Sequence, residues 1–404
     1  MKPWLSVIGV GDDGVSGLTP AARALVDNAR IVVGAKRLLD GISTEGREIH
    51  VWSSPLADTI ERIKGWRGRA VAVLASGDPM HFGVGCTLAN HIPFDEMRVV
   101  PAPSAFSLAA ARLGWPLQEV ECLSLHARPA ELIVPLIAPN ARILALTEGA
   151  KTVGEVAGLL CRRGFGPSRL IVLEHMGGAG ERCVETSAEK VAGQPFAEFN
   201  LLAIECVAGP GAALLPRVPG LPDESFHHDG QITKREVRAV TLAALAPGPD
   251  ALLWDVGAGS GSIAIEWMRA ARGARAIAFE RDAVRCALLA ENALALGVPG
   301  LEIVAGEVPG TLAGRPAPDA VFLGGAVSDE AVFVTCWDAL GSGGQLVANS
   351  VTLESEAALI AREEHHGGDL TRIDIAHLVP VGSKRALKAR MSVLQWRAVK
   401  GVTP

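Results

Sequence analysis

Seven consecutive residues, Asp255-Val256-Gly257-Ala258-Gly259-Ser260-Gly261, follow one apolar run, and Glu280 closes the next. Alternate glycines let backbone N–H groups come close to a polar ligand. An acid at the end of the following strand can take the two hydroxyls of a ribose. A second set of residues is scattered along the chain: Gly9-Val10-Gly11, then Ser76-Gly77-Asp78-Pro79 with Gly83, then Pro103-Ser104-Ala105. Each piece alone reads as a turn or a cap, because Asp bonds nearby backbone, Pro fixes φ and Ser caps helices. Two unlike nucleotide-type signatures in one chain point to two reactions on one substrate.

The second signature is spaced GxGxG, and Ser262 stands where a dinucleotide fingerprint has Gly or Ala. That disfavours NAD. Asp255 before the turn and an antiparallel chain end fit S-adenosylmethionine instead. Thr233-Lys234-Arg235-Glu236 has the form of a capping box, worth about 1 kcal/mol, so Thr233 is either a cap or a ligand contact. His227-His228 and His365-His366 raise a metal reading, but adjacent side chains diverge on helix and strand alike. No Cys or carboxylate set stands at zinc spacing near them, so solvated loop histidines and no metal are expected. Arg162-Arg163 and the group Lys384, Arg385, Lys388 and Arg390 read mainly as solvated faces, with one or two able to hold carboxylates.

These residues need elements to position them. In the first half, strands are expected over 5–10, 31–33, 70–74 and 99–100. Thr19-Pro20 should open a helix, as should Ser54-Pro55. Ser104 should cap a helix over 105–113 that Gly114 ends. Past Pro116 the pattern restarts, with strands over 122–125, 141–146, 170–173 and 201–207 and a Thr152-x-x-Glu155 capping box. The first half thus reads as two α/β lobes split near 115–120. Residues 209–229 are rich in Pro and Gly and read as a linker between domains over 1–208 and 230–404. In the second domain, strands over 251–256, 276–280, 301–305, 320–323 and 345–348 alternate with helices. That is a doubly wound parallel sheet. Stretches 372–378 and 392–398 alternate apolar and polar and read as a terminal antiparallel pair.

At 404 residues, 49% hydrophobic and 20% charged, the chain exceeds one comfortable core and excludes disorder. The net charge is −6 and neither half is basic, which weighs against nucleic acid as a partner. There is no Tyr, so ring stacking falls to Trp, Phe and His. The seven Cys form no CxxC pair and read as reduced, mostly buried thiols. Met1-Lys2-Pro3-Trp4 runs straight into a strand without a leader pattern, and no apolar run is long enough for a membrane span. A cytoplasmic protein with no membrane partner is expected.

Residues 1–208 resemble the tetrapyrrole methylases. The stretches that carry this are Gly9-Val10-Gly11-Asp12-Asp13-Gly14 with Leu18-Thr19, Gly34-Ala35-Lys36-Arg37-Leu38, Ser76–Pro79, Pro103-Ser104-Ala105 and Leu125-His126-Ala127-Arg128. The usual first loop has Pro where this chain has Asp12. Residues 230–404 resemble a class I methyltransferase of the cobalamin pathway, most specifically through Gln231-Ile232-Thr233-Lys234-Arg235-Glu236-Val237-Arg238. Gly306-Glu307-Val308-Pro309 departs there from a more usual Gly-Asp-Ala-Pro.

The resemblance implies an α/β chain with a two-lobed class III methyltransferase fold followed by a class I Rossmann-like one. It implies S-adenosylmethionine at two sites. The first uses Gly77, Asp78, Pro79, Gly83, Ser104 and Ala105. The second uses Thr233, Asp255, Gly257, Gly259, Ser260, Gly261, Glu280 and Val308. It further implies a precorrin substrate methylated at carbons 5 and 15 and decarboxylated at its carbon-12 acetate, and a homo-oligomer. Arginine suits a ligand with many carboxylates, and Arg128 and Arg238 are the candidates. Three alternatives stay open: a methyltransferase acting on RNA or protein, a scaffold with one inactive half, and an NAD oxidoreductase in the second domain.

Overall fold

The computed structural model describes residues 3–401, so Met1-Lys2 and the last three residues of the expected second domain lie outside it. The chain divides into two compact units. One comprises the chain up to Ala130 together with Leu136–Ala213, and the other comprises Glu131–Pro135 and the chain from Leu214.

Unit one holds two sheets. Strands β1 (Leu5–Val10), β2 (Ile31–Gly34), β3 (Glu48–Val51), β4 (Val71–Ser76) and β5 (Met97–Val100) form a parallel sheet in the order β3-β2-β4-β1-β5. Their apolar residues face two ways: Val7, Val33 and Val73 into one cluster, Ile8, Val32 and Leu74 into the other. A parallel sheet covered on both faces needs such near-continuous apolar strands. The second lobe contains β6 (Glu121–Ser124), β7 (Arg142–Leu146), β8 (Arg169–Glu174), β9 (Arg182–Ser187) and β10 (Asn200–Glu205), in the order β6-β7-β10-β8-β9. Only β6–β7 is parallel there.

Thr19 caps the helix Pro20–Asp27 by accepting from Ala22 N, and Ser104 caps Ala105–Leu113 by accepting from Ser107 N, with Gly114 left-handed at its end. Two expected caps differ. Pro55, not Ser54, precedes the helix Leu56–Gly65. Thr152 lies inside the helix Ala150–Arg162, where its hydroxyl accepts from Glu148 N instead of opening the helix.

Unit two is a seven-stranded sheet made of β11 (Leu252–Val256), β12 (Arg275–Glu280), β13 (Glu302–Ala305), β14 (Ala320–Leu323), β15 (Gln345–Ser350), β16 (Asp369–Ile373) and β19 (Val393–Val399). The order is β13-β12-β11-β14-β15-β19-β16, and β17 (Ala376–Val381) pairs separately with β18 (Lys384–Ala389). The first five strands are parallel, while β19 runs antiparallel to β15 and to β16. All five β11 residues are buried, and each fully buried Leu or Val there contributes about 1.5–3 kcal/mol. Trp267 and Trp396 are fully buried on its two faces. No helix among the described residues is long and apolar enough to cross a membrane.

The stretch expected as linker over 209–229 is partly structured on unit two. Leu221 and Phe226 enter its core, and Glu266 accepts from the backbone N–H of Gly220 and Leu221. Gly and Pro there set turns; the buried apolar pair fixes the chain. The expected strand over 372–378 straddles the junction of β16 and β17. His365 and His366 sit in the last turn of the helix Leu353–His366, not in a loop, with the His366 ring 4.7 Å from Trp337. The cysteines are free, but only Cys206 and Cys336 are buried; Cys161 and Cys183 are exposed. Placement on edge strands and exposed helix faces outweighs the thiol's apolar preference.

Candidate functional sites

In unit one, β1 lies between β4 and β5, so the loops after these three strands share one carboxyl edge. That brings Gly9–Gly11, Ser76–Pro79 and Pro103–Ala105 together from across residues 9–105. The approach is tight. A Cβ on Gly9 would stand 2.4 Å from Gly77 O and 2.6 Å from Ala102 N. Gly77, with φ near +63°, donates to Val10 O at 2.8 Å. A Cβ on Gly83 would stand 2.5 Å from Asp78 O. Asp78 Oδ1 accepts from Met80 N at 2.8 Å, and the Ser104 hydroxyl is the helix cap. Both side chains therefore shape the loops, which leaves backbone groups and Ala105 to face a ligand. Arg128 is exposed in the turn after β6.

A bridge between the lobes had no signal in the sequence. Asp12 Oδ1 accepts from Arg37 at 3.0 Å, and its Oδ2 lies 3.4 Å from His175 Nδ1 in the other lobe. Arg37 also donates to the Ser76 hydroxyl at 2.6 Å and lies over the Phe199 ring. Asp12, the departure from the usual Pro, thus pairs with Arg37 in its own lobe and touches His175 in the other.

In unit two, Gly257, Gly259 and Gly261 all have φ between +58° and +77°, which favours glycine. A Cβ on Gly257 would meet Gly325 N at 2.8 Å, so the turn after β11 closes against the turn after β14. The strand order reverses between these two strands, and α/β sheets bind ligands at such a switch point. The Gly324-Gly325 pair at the end of β14 completes the cradle. Its sequence signal was two glycines directly after an apolar strand.

Glu280 ends β12 beneath this loop, 6% exposed; its Oε2 accepts from Gly259 N at 2.9 Å and its Oε1 from Asp282 N at 2.9 Å. Each oxygen keeps a lone pair for a hydroxyl donor. Asp255 Oδ2 accepts from Ala264 N at 3.0 Å, while Oδ1 and the Ser260 hydroxyl are buried without a protein partner. Burial pushes the Asp255 carboxyl up to about 7; the Ala264 N–H opposes the shift and the Glu280 charge adds to it. Val308 is half-buried in the turn after β13, where Gly306 N donates to Glu280 O. This set fits an adenosyl group: a glycine cradle, a helix N-terminus beginning at Ser262, an acid at the end of the next strand, and orphaned polar atoms within the loop.

Thr233 is half-buried and is not the cap. Lys234 occupies that position without a side-chain bond, and the helix is Arg235–Leu245. Arg285 ties the preceding segment down, donating to Asp229 at 2.9 Å and to Gln231 Oε1 at 2.8 Å. Asn292 donates to Ser260 O and His227 O and accepts from His227 N.

Arg238 is not a substrate contact. It is 0% exposed, donates to Glu266 at 2.6 Å, Asp223 at 3.1 Å, Thr233 O at 2.5 Å and Leu221 O, and lies over Phe226. A guanidinium with its donors so engaged and no surface cannot reach a ligand. It fixes instead the backbone of Thr233.

The edges of these sheets define two methyltransferase folds in one chain. Residues 5–192 match the tetrapyrrole (corrin/porphyrin) methylases and residues 224–400 match the precorrin methyltransferase domain. Precorrin-6Y C(5,15)-methyltransferase [decarboxylating] of a Sinorhizobium species is 49% identical over 402 residues, covering 99% of this chain and 97% of that one. Two shorter relatives come from Salmonella typhimurium. The cobalt-precorrin-7 C(5)-methyltransferase is 28% identical over 44% of this chain and 88% of its own length. The cobalt-precorrin-6B C(15)-methyltransferase (decarboxylating) is 31% identical over 42% of this chain and 90% of its own length. The chain belongs to the precorrin-6Y C(5,15)-methyltransferase (decarboxylating) family, S-adenosylmethionine-dependent enzymes of cobalamin biosynthesis.

Proposed function

We propose that unit one methylates carbon 5 of a reduced precorrin-6, and that unit two methylates carbon 15 and removes the carbon-12 acetate carboxylate, giving precorrin-8. The observation that carries this is the pair of separate glycine cradles, each at the carboxyl edge of its own sheet. Separate relatives named for each activity, each matching under half of the chain, support the division. On this reading the chain uses two donor molecules and no metal, and works as a cytoplasmic homo-oligomer without nucleic-acid or membrane partners.

A bound donor would supply an electrophilic methyl group, so the protein's task is alignment and charge. In unit two, Glu280 holds the ribose hydroxyls, the amides of Gly257–Gly261 line the loop, and Thr233 and Val308 flank it. In unit one, the backbone of Gly77–Pro79, Gly83 and Ser104-Ala105 forms the corresponding bed, and Arg128 meets a substrate carboxylate. Loss of the acetate carboxylate leaves an electron pair that the conjugated ring accepts, and a proton must then reach the new methyl group.

Mass analysis of reduced precorrin-6 incubated with the full chain and the donor tests this. The expected product has gained two methyl groups and lost one carbon dioxide; an unchanged mass rejects the proposal.

A further inference from the structure

With Arg238 buried, unit two needs other cations to face a substrate that carries many carboxylates. Strands β17 and β18 pair in register from Ala376 opposite Ala389 to Val381 opposite Lys384, and stand apart from the main sheet. Residues 376–391 contain Lys384, Arg385, Lys388 and Arg390 and no Asp or Glu, in a chain of net charge −6. All four cations are exposed, and among the described residues none has a carboxylate partner. A merely solvated surface normally mixes both signs.

The position of this hairpin follows from strand register. Ser350 at the end of β15 lies opposite Leu394, and Ile373 at the end of β16 lies opposite Val393. The hairpin joins β16 to β19, so it leaves the sheet at the carboxyl edge of β11–β15, the edge that bears the glycine cradle. At its base, His377 Nε2 lies 3.6 Å from Glu236 Oε1, in the first turn of the helix that follows Thr233. A donor with its ribose at Glu280 on β12 and lying across β11 extends toward β14 and β15, the side that the hairpin flanks. Along the hairpin, His377, Lys384 and Lys388 share one face, and Leu378, Arg385 and Leu387 the other. Leu378 and Leu387 are 57% and 72% exposed. Arg385 flanks the apolar pair on one face and Lys384 and Lys388 occupy the other, so acidic arms reaching round the hairpin from a flat ring meet a cation on either side.

We propose that the β17–β18 hairpin is a substrate arm, on which Lys384, Arg385, Lys388 and Arg390 hold the peripheral carboxylates of the precorrin. This rests on the reaction proposed above, so binding is read apart from turnover. The probe is uroporphyrin, a stable porphyrin whose side chains all end in carboxylates, titrated into the full chain and read by exchange protection of the β17 and β18 amides, which separates it from binding to unit one. Changing all four cations to Glu should weaken uroporphyrin binding about tenfold or more, since several exposed charge pairs are reversed together. Donor affinity by calorimetry should be unchanged, and added salt should weaken binding to the wild type but not to the variant. Four Gln replacements should give a smaller loss in the same direction. Equal porphyrin affinity in wild type and reversed variant overturns the proposal, whether or not the chain turns over precorrin. Loss of self-association at unchanged affinity overturns it too, and assigns the hairpin to a second copy of the chain.

Discussion

The two glycine cradles are built from the same parts in opposite arrangements. In unit two the cradle is nearly continuous, running from Asp255 to Gly261, with Glu280 one strand away. In unit one it is assembled from three loops on neighbouring strands, and no piece of it exceeds a turn. Both need glycine where two backbones meet, at Gly257 against Gly325 and at Gly9 against Gly77. A ligand site can thus be written locally or through strand order alone, with the same steric requirement at its closest point.

The comparison breaks if the two cradles are not independent. Glu280→Ala should remove donor binding from unit two, and Gly9→Ala should force the end of β1 away from the Gly77 turn in unit one, because its Cβ would lie 2.4 Å from Gly77 O. Each variant should bind one donor equivalent by calorimetry where the wild type binds two. Each should also lose only its own methylation, by about a hundredfold or more, with the other unit's helical signal intact. Loss of both methylations in either variant would mean a single shared site.

The contrast also explains what was legible in the sequence. Apart from β3, strands of the parallel sheets and the caps at Thr19 and Ser104 are local signals, and they stand where expected. Edge strands β3 and β9 are half-exposed and mixed in composition, so no periodicity marked them. The Thr233 capping box fails for a tertiary reason: Arg238 takes the Thr233 carbonyl and the helix begins two residues on. Asp12 read as a deviation in one loop, because its partners Arg37 and His175 lie 25 and 163 residues away. Arg238 read as a substrate contact because a motif shows residue type but not burial.

Arg238 sharpens the comparison from the side of stability. Replacing it with Leu leaves Glu266 buried and unpaired, which should destabilise unit two by about 3–5 kcal/mol. Replacing Glu266 with Gln as well should restore part of that loss, since it removes the stranded charge while its amide oxygen still accepts from the Gly220 and Leu221 N–H groups. Urea unfolding followed by hydrogen exchange on β11 reads this in unit two. A single variant that unfolds like the wild type but binds uroporphyrin weakly would return Arg238 to the substrate.

Asp255 tests a smaller, pH-dependent difference, because unit one, among the described residues, has no counterpart of a buried acid beneath its cradle. Its carboxyl rises from an ordinary 3.8 to about 7 through burial, so the folded state favours the protonated form. A raised folded value means that stability is full below the unfolded value and is lost as pH rises through the folded one. The donor-free unit two should therefore lose on the order of 4 kcal/mol or less from this group between about pH 4 and pH 7. Asp255→Asn keeps the shape, cannot ionise, and should remove that slope. The difference in exchange rates between wild type and variant, measured on β11 amides at pH 4.5 and pH 7.5, isolates Asp255 from every other titrating group. Parallel pH profiles in the two proteins would mean that the loop already supplies the Oδ1 atom with a partner, and that the cradle in unit two is as neutral beneath its glycines as the one in unit one.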